Sequence, residues 1–106
     1  MQVLIVNFNL NGITEDDFAH HADEVAPAFA AVPGLVSKVW LADRAEGIYG
    51  GVYTFESADA VDRYLASDLC AAVASNPGLA NISVRRFDVL DAPTRVTRGI
   101  AAPAAV

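Results

Sequence analysis

Apolar residues follow two kinds of spacing in the first third of the chain, and each spacing predicts a different element. Residues Gln2 to Asn9 form a nearly continuous apolar run, which is typical of a strand buried on both faces. After Asn11-Gly12, apolar residues recur at helical spacing on an inward stripe of Phe18, Ala22, Val25 and Phe29. Thr14, followed by three acidic residues, predicts the start of this helix, and Pro27 predicts a kink or break before it ends ahead of Pro33.

The next segment has the composition of a β-hairpin. Residues Leu35 to Ala42 and Ile48 to Phe55 are rich in β-branched and aromatic residues, and the polar link 43–46 with Gly47 after it is typical of a turn. An even-numbered link would place Trp40 opposite Tyr49, Lys38 opposite Gly51 and Val36 opposite Tyr53. One face then carries Lys38, Trp40, Tyr49, Tyr53 and Phe55, and the other carries Leu35, Ser37, Val39, Leu41, Ile48, Val52 and Thr54.

The second half of the chain repeats the order helix then strand. Ser57 is the predicted cap of a helix that extends to about Ser67 and turns Val61, Tyr64 and Leu65 inward. Asp68 is the predicted cap of a further short helix over 69–74. A last strand is predicted over 80–90, and the residues after Asp91 show no clear periodicity. The order is βαββαβ, so we expect a ferredoxin-like α+β fold with an antiparallel four-stranded sheet in residues 1–95, followed by a tail, 96–106.

Helices can cover only one face of such a sheet, and the sequence makes both faces apolar. The first strand has no clean polar side, and the aliphatic face of the hairpin carries no charge. A contiguous exposed apolar surface of that size marks an interface. We therefore expect a homodimer in which two sheets pack through their free faces.

Composition excludes several classes of function. The net charge of −6 and the pI near 4.5 argue against a nucleic-acid partner. No apolar run reaches the roughly 18 residues of a membrane span, and the first residues lack the basic start of a signal peptide, so we expect a cytoplasmic protein. The single cysteine, Cys70, excludes an internal disulfide and is expected to be a small buried hydrophobe. The motifs of nicotinamide, P-loop, hydrolase and zinc-protease sites are absent, and we expect no metal and no cofactor.

Four segments carry a resemblance to a known family. GLVSKVW at 34–40, GGVYTF at 50–55, AVDRYLAS at 60–67 and SVRRFDVLDAP at 83–93 resemble the YdhR-type mono-oxygenases of the antibiotic-biosynthesis-monooxygenase-like superfamily. The resemblance covers roughly residues 3 to 95. It implies a dimeric α/β barrel of eight strands with the helices outside, and a mono-oxygenase that needs no metal or flavin.

The aromatic face of the hairpin is the first candidate for a binding site. Trp40 and Tyr49 could form the wall of a pocket for a flat ligand, and Lys38 could stabilise an anionic oxygen on it. We include Tyr53, Phe55 and Tyr64 as further substrate contacts. The alternative is that these aromatics are ordinary core between sheet and helices and that Lys38 extends along the strand edge to solvent. Gly50-Gly51 favours the pocket slightly, because glycine within a strand often marks close approach by a ligand or another backbone.

Two polar residues complete the set of candidate catalytic groups. Asn7 interrupts an apolar strand, and in relatives an asparagine helps to position substrate or oxygen. His21 lies on the flank of the first helix and is the reserve general base, whereas His20 projects to the opposite side. Haem-degrading members use a helix histidine as the iron ligand, and the second helix here has none.

Arg85 and Arg86 point to opposite faces of the last strand, so one of them meets a buried face and needs an acidic or polar partner. Asp88 shares the face of Arg86, and we expect a structural ion pair, within one chain or between subunits.

The sequence is compatible with three functions. The first is a cofactor-independent mono-oxygenase that oxidises a small phenolic or anthrone-like aromatic substrate. The second is an isomerase, lyase or cyclase of the same superfamily, and the third is a dimer that binds a small molecule without catalysis. Oxygen consumption, turnover without oxygen, and ligand-dependent melting without turnover distinguish them.

Overall fold

A computed structural model describes residues 1–100, and eight elements follow one another along this part of the chain. They are β1 (Gln2–Leu10), α1 (Glu15–Ala30), β2 (Leu35–Asp43), β3 (Ile48–Phe55), α2 (Ala58–Leu65), α3 (Asp68–Ala74), β4 (Leu79–Asp88) and α4 (Asp91–Val96). The strands form one antiparallel sheet in the order β2-β3-β1-β4. This order confirms the predicted ferredoxin-like fold.

The C-terminal end differs from the sequence prediction. A short helix, α4, forms over 91–96, where we predicted no regular element. Residues 101–106 of the predicted tail, 96–106, lie outside the described residues. No helix within 1–100 is long and apolar enough to cross a membrane.

The register of the β2–β3 hairpin is two residues away from the predicted one. Trp40 lies opposite Gly51 and Lys38 opposite Tyr53, because Asp43 pairs with Ile48 and the four-residue loop is 44–47 instead of the predicted 43–46. A shift of two residues preserves the face of every side chain, so the predicted aromatic face is retained. Leu35 is the exception. A bulge between Leu35 and Ser37 pairs it with Phe55, and Leu35 packs against the core instead of lying on the aliphatic face.

The helices cover the aromatic face of the sheet. Leu4, Val6 and Phe8 of β1 alternate with half-buried neighbours, so β1 is covered on only one face within this chain. The buried core consists of Leu4, Val6, Phe8, Phe18, Phe29, Tyr49, Tyr53, Phe55, Ala60, Val61 and Tyr64. The prediction that β1 is buried on both faces is therefore correct for one face here, and the other remains open.

Helix α1 continues through Pro27 without the predicted break. Thr14 and Asp17 form a capping box: the Asp17 N–H donates to the Thr14 hydroxyl, and the Thr14 N–H donates to the Asp17 carboxylate. Pro27 removes one hydrogen bond near the last turn, but the turn that follows brings Phe29 into the core, where it is 3% exposed. Burial of a phenylalanine contributes about 1.5–3 kcal/mol, which offsets the missing bond.

Two further details of the helices correct the sequence prediction. Ser67, not Asp68, caps α3, since its hydroxyl accepts the Cys70 N–H at 3.2 Å. Leu65 is 41% exposed, because α2 turns only Ala60, Val61 and Tyr64 toward the sheet.

Arg86 is the arginine of β4 that faces the helices. Its guanidinium donates to the Asp62 carboxylate at 2.7 Å, to the Gln2 side-chain oxygen at 2.8 Å and to the Ala58 carbonyl at 3.1 Å. The predicted partner, Asp88, accepts instead from Gln2 at 2.7 Å. The network ties β4 to β1 and α2 within one chain.

Candidate active site

A cavity of about 370 Å³ lies between the sheet and the helices α1 and α3. Its wall is predominantly apolar and includes four aromatic rings from α1, β1 and β2, namely Phe8, Phe18, Phe29 and Trp40. Lys38, His21, Tyr53 and the turn 75–77 add the polar groups. A mostly apolar cavity of this size with a few convergent polar groups is typical of a small-molecule site.

Lys38 occupies an aromatic box at the edge of this cavity. Its Nζ lies 3.4 Å from the centre of the Phe29 ring, 3.5 Å from that of Trp40 and 4.4 Å from that of Tyr53. Burial lowers the pKa of Lys38 to about 7. Contact with three ring faces favours the ammonium form and opposes this effect in part. Near neutral pH, Lys38 can therefore accept a proton or carry one.

The pairing of Trp40 with Gly51 makes room for this arrangement. A Cβ atom on Gly51 would lie 3.0 Å from Lys38 Cε and 3.1 Å from the Tyr53 ring, closer than packed atoms normally approach. Trp40 packs edge to face on Phe29, with ring centres 5.5 Å apart at 86°. Glycine is required at position 50 for a different reason: a Cβ atom there would collide with the Val6 carbonyl oxygen of the neighbouring strand.

Tyr53 and Tyr64 form a buried pair next to the box, with ring centres 5.4 Å apart. Burial raises the pKa of both phenols, and the Tyr53 phenol and the Cys70 thiol add to the effect at Tyr64. Burial also raises the pKa of Cys70. These groups stay protonated at neutral pH, so they can donate hydrogen bonds but do not act as bases.

The structure brings together only part of the predicted set of site residues. Lys38, Trp40, Tyr53 and His21 line the cavity, although His21 is otherwise exposed on α1. Tyr64 is 3% exposed and supports Tyr53 from behind.

Three predicted residues lie elsewhere. Phe55 is fully buried core, and it stacks on Tyr53 outside the cavity wall. Tyr49 lies on a separate groove beside α1, where its hydroxyl donates to Glu15 at 2.9 Å. That contact raises the pKa of Tyr49, and the hydrogen bond from Arg44, together with the one from Tyr49, lowers the pKa of Glu15.

The prediction that Asn7 lies in the active site is wrong for the cavity of its own chain. Its pairing with Gly50 and Ser83 places it on the open face of the sheet, because it alternates with the inward-facing Val6 and Phe8. It does not line the cavity of its own chain.

Sequence reasoning missed the contribution of α3 and the turn after it. Leu69, Ala72 and Val73 line the cavity, together with Asn76 and Pro77. Asn76 is fixed by accepting the Gly78 N–H at 2.9 Å. A seven-residue helix carries too little periodicity to reveal its inner face. Phe18 and Phe29 were on the predicted inward stripe of α1, but that stripe did not distinguish cavity wall from core.

No group of three or more His, Cys, Asp or Glu side chains within residues 1–100 is arranged to hold a metal ion.

Comparison with known families agrees with the resemblance seen in the sequence. The family described as "Putative mono-oxygenase ydhR" matches residues 3–100, nearly the whole chain. The chain belongs to this family of mono-oxygenases. Among curated proteins, no sequence matches significantly.

Solved structures show the same fold. SnoaB, a cofactor-independent oxygenase from Streptomyces nogalater, is 25% identical, with 85% of this chain and 94% of SnoaB covered and a TM-score of 0.67. MhuD, a haem degrader from Mycobacterium tuberculosis, is 22% identical over 85% of this chain and 96% of its own, with a TM-score of 0.69. A protein of unknown function from Nitrosomonas europaea is 18% identical over 98% and 95%, with a TM-score of 0.74.

Proposed function

We propose that this protein is a cofactor-independent mono-oxygenase that oxidises a small acidic aromatic substrate, phenolic or anthrone-like, in the cavity beside Lys38. The observation that carries the proposal is the Nζ of Lys38, held among three aromatic rings at the wall of an apolar cavity. Membership of the mono-oxygenase family and the likeness to SnoaB support it.

The proposed reaction needs no reductant other than the substrate. The methylene of an anthrone lies between two aryl rings that conjugate it to the carbonyl opposite, so it loses a proton to form a stabilised anion, which gives one electron to O₂. The radical and superoxide combine as a peroxide, which loses water and leaves a ketone. Overall, two C–H bonds and the O–O bond break, one oxygen atom enters a C=O group, and the other leaves in water.

Lys38 is the proposed base in this reaction. A neutral amine at the wall can take the methylene or phenol proton, and the ammonium that results stabilises the substrate anion beside it. Trp40 and Phe29 supply flat surfaces for an aromatic ring, and the apolar wall excludes water from the radical pair. His21 is the second basic group on the wall.

Oxygen uptake with dithranol, an anthrone, tests this function. Purified protein treated with a chelator should consume O₂ and form the quinone at a rate proportional to enzyme concentration. Turnover at the same rate without O₂ would support an isomerase or lyase instead. Activity that appears only after haem, flavin or iron is added would contradict the proposal, as would ligand-dependent melting without any turnover.

The pH dependence of kcat/KM tests the role of Lys38. The base must be neutral to act, so kcat/KM should rise with pH and level off above the pKa of about 7. His21 and Tyr53 are the other titratable side chains on the cavity wall. The rise should disappear in Lys38→Arg and persist in His21→Gln. If the rise instead persisted in Lys38→Arg and disappeared in His21→Gln, the base would be His21.

We also propose that two chains form a homodimer through the open faces of their sheets. Val39 is 56% exposed, Phe87 41% and Ile48 39%, and all three lie on the face that no helix covers. Arg85 lies over the Phe87 ring at 5.2 Å and is the only charged residue of β4 on this face.

The dimer prediction is tested by placing a charge on that face. Val39→Glu should convert the dimer into a folded monomer, because the charge would be buried in the interface without a partner. Light scattering measures the change in mass. Leu65→Glu places the same charge on the outer side of α2, where 41% of Leu65 is exposed, and should leave the dimer intact. A wild-type protein that is monomeric at micromolar concentration would contradict the prediction.

A further inference from the structure

Lys38 is the only lysine among the 106 residues of the sequence. Its side chain lines both the main cavity and a smaller groove of about 240 Å³ at the edge of β2. The amine is therefore enclosed by protein but can be approached from two sides. An amine in this position can be reached by a ligand in the cavity, so its nitrogen is a candidate for covalent bonding to that ligand.

The surroundings of the amine leave its lone pair free. Four ion pairs are present within residues 1–100, and none of them includes Lys38. Its neighbours are the ring faces of Phe29, Trp40 and Tyr53, which attract N–H hydrogens and do not compete for the lone pair. The nitrogen is held in place by groups that do not consume its nucleophilicity.

Burial also keeps much of the amine unprotonated. Burial lowers the pKa of Lys38 to about 7, so a larger share of this amine is neutral at pH 7 than of an ordinary lysine with a pKa near 10.4, which is neutral in roughly one molecule in 2,500. Desolvation in an apolar pocket is one of the general ways in which proteins activate a lysine as a nucleophile.

We propose that Lys38 is a carbonyl-binding nucleophile that forms an imine with small aromatic aldehydes in the cavity. The Nζ lone pair attacks the carbonyl carbon, a proton moves from nitrogen to oxygen to give a carbinolamine, and loss of water leaves the C=N bond. No electrons are gained or lost. This proposal goes beyond the proposed oxygenation and does not rest on it, because it needs only the cavity and the amine.

The walls of the cavity select the aldehyde. Phe8, Phe18, Phe29 and Trp40 present flat apolar surfaces, and about 370 Å³ accommodates a bicyclic aromatic ring. Exclusion of water from these walls favours the imine, since water is the product of its formation. An aliphatic aldehyde of similar size lacks the ring that stacks on Trp40.

Reductive trapping of naphthaldehyde tests the proposal. Wild-type protein incubated at pH 7 with naphthaldehyde and cyanoborohydride should gain the mass of one naphthylmethyl group, and peptide mapping should place it on Lys38. The α-amine of Met1 is the internal control, because it is 4.0 Å from the Asp91 carboxylate and lies outside the cavity wall. We expect modification of Lys38 to be at least tenfold faster than that of Met1.

Lys38→Arg is the matched control variant, since it retains a cation but cannot form the imine. It should keep only the slow reaction at Met1. Naphthylmethanol, which has the same ring without the carbonyl, should slow the wild-type reaction by occupying the cavity. Equal rates at both amines, modification of Met1 alone, or no effect of naphthylmethanol would overturn the proposal. Trapping at Lys38 in a protein that consumes no O₂ would support the imine site while contradicting the proposed oxygenase.

Discussion

Replacing Lys38 with methionine is expected to abolish oxygenase activity and at the same time to make the protein more stable. Loss of a general base typically lowers a rate by 10²- to 10⁴-fold, so kcat/KM with an anthrone should fall at least a hundredfold. Methionine fills a similar volume and interacts favourably with aromatic rings. The fold should therefore be retained while the proton acceptor is lost.

The gain in stability follows from the pKa of Lys38. Lowering the pKa from 10.5 to about 7 means that the folded state holds the proton less tightly than the unfolded state. The buried ammonium therefore destabilises the wild type fully below pH 7, and the cost is relieved as the pH rises from 7 toward 10.5. The whole shift corresponds to about 5 kcal/mol. Partial exposure to solvent and the contacts with three rings reduce this, and we expect Lys38→Met to gain about 1–2 kcal/mol at pH 7.

Urea denaturation at several pH values measures this effect. The difference in unfolding free energy between Lys38→Met and wild type should be largest at pH 7 or below and should shrink toward pH 10. Lys38→Arg is the control that keeps a permanent charge, and it should not show the gain. If Lys38→Met is less stable than wild type at pH 7, the role of Lys38 is structural.

The second prediction separates residues of the cavity wall from residues of the core. Phe55→Ala should cost about 3–5 kcal/mol, because Phe55 is fully buried and its removal leaves a void. That is a large part of the roughly 5–15 kcal/mol that stabilises a domain of this kind. Trp40→Ala should cost less, because Trp40 is only partly buried and lines the main cavity and two neighbouring grooves.

Ligand affinity should change in the opposite order. Trp40→Ala should weaken the binding of a hydroxyanthraquinone by at least tenfold, while the folded fraction of Phe55→Ala should bind within about threefold of wild type. Tyr49→Phe, which removes only the hydrogen bond to Glu15, is expected to bind normally. Calorimetry on the folded proteins measures the affinities. An equal loss of affinity in Phe55→Ala and Trp40→Ala would remove the distinction between wall and core.

The sequence predicted the faces of the sheet better than the pairing within it. Alternation along β2 and β3 placed Lys38, Trp40 and Tyr53 on one face, and the structure agrees even though the hairpin register differs by two residues. Register depends on where the four-residue loop begins: the predicted link is 43–46, whereas in the structure Asp43 pairs with Ile48 and the loop is 44–47, with Gly47 inside it at a φ of 66°. The bulge that turns Leu35 inward has no signal in the residue pattern.

The candidate site was only partly predictable because burial depends on which face the helices cover. Asn7 and Lys38 are both polar residues in apolar strands, and nothing local distinguishes them. The structure puts Lys38 under α1 and Asn7 on the open face. Phe55 and Trp40 likewise share a face, but only position along the strand decides which of them meets the cavity.

A crystal structure with a hydroxyanthraquinone, an unreactive analogue of the oxidised substrate, tests the location of the active site most directly. We expect the ring system to lie between α1, α3 and the sheet, against Trp40 and Phe29, with a ligand oxygen within hydrogen-bond distance of Lys38 Nζ. A ligand on the open face beside Asn7, with the cavity empty, would contradict it.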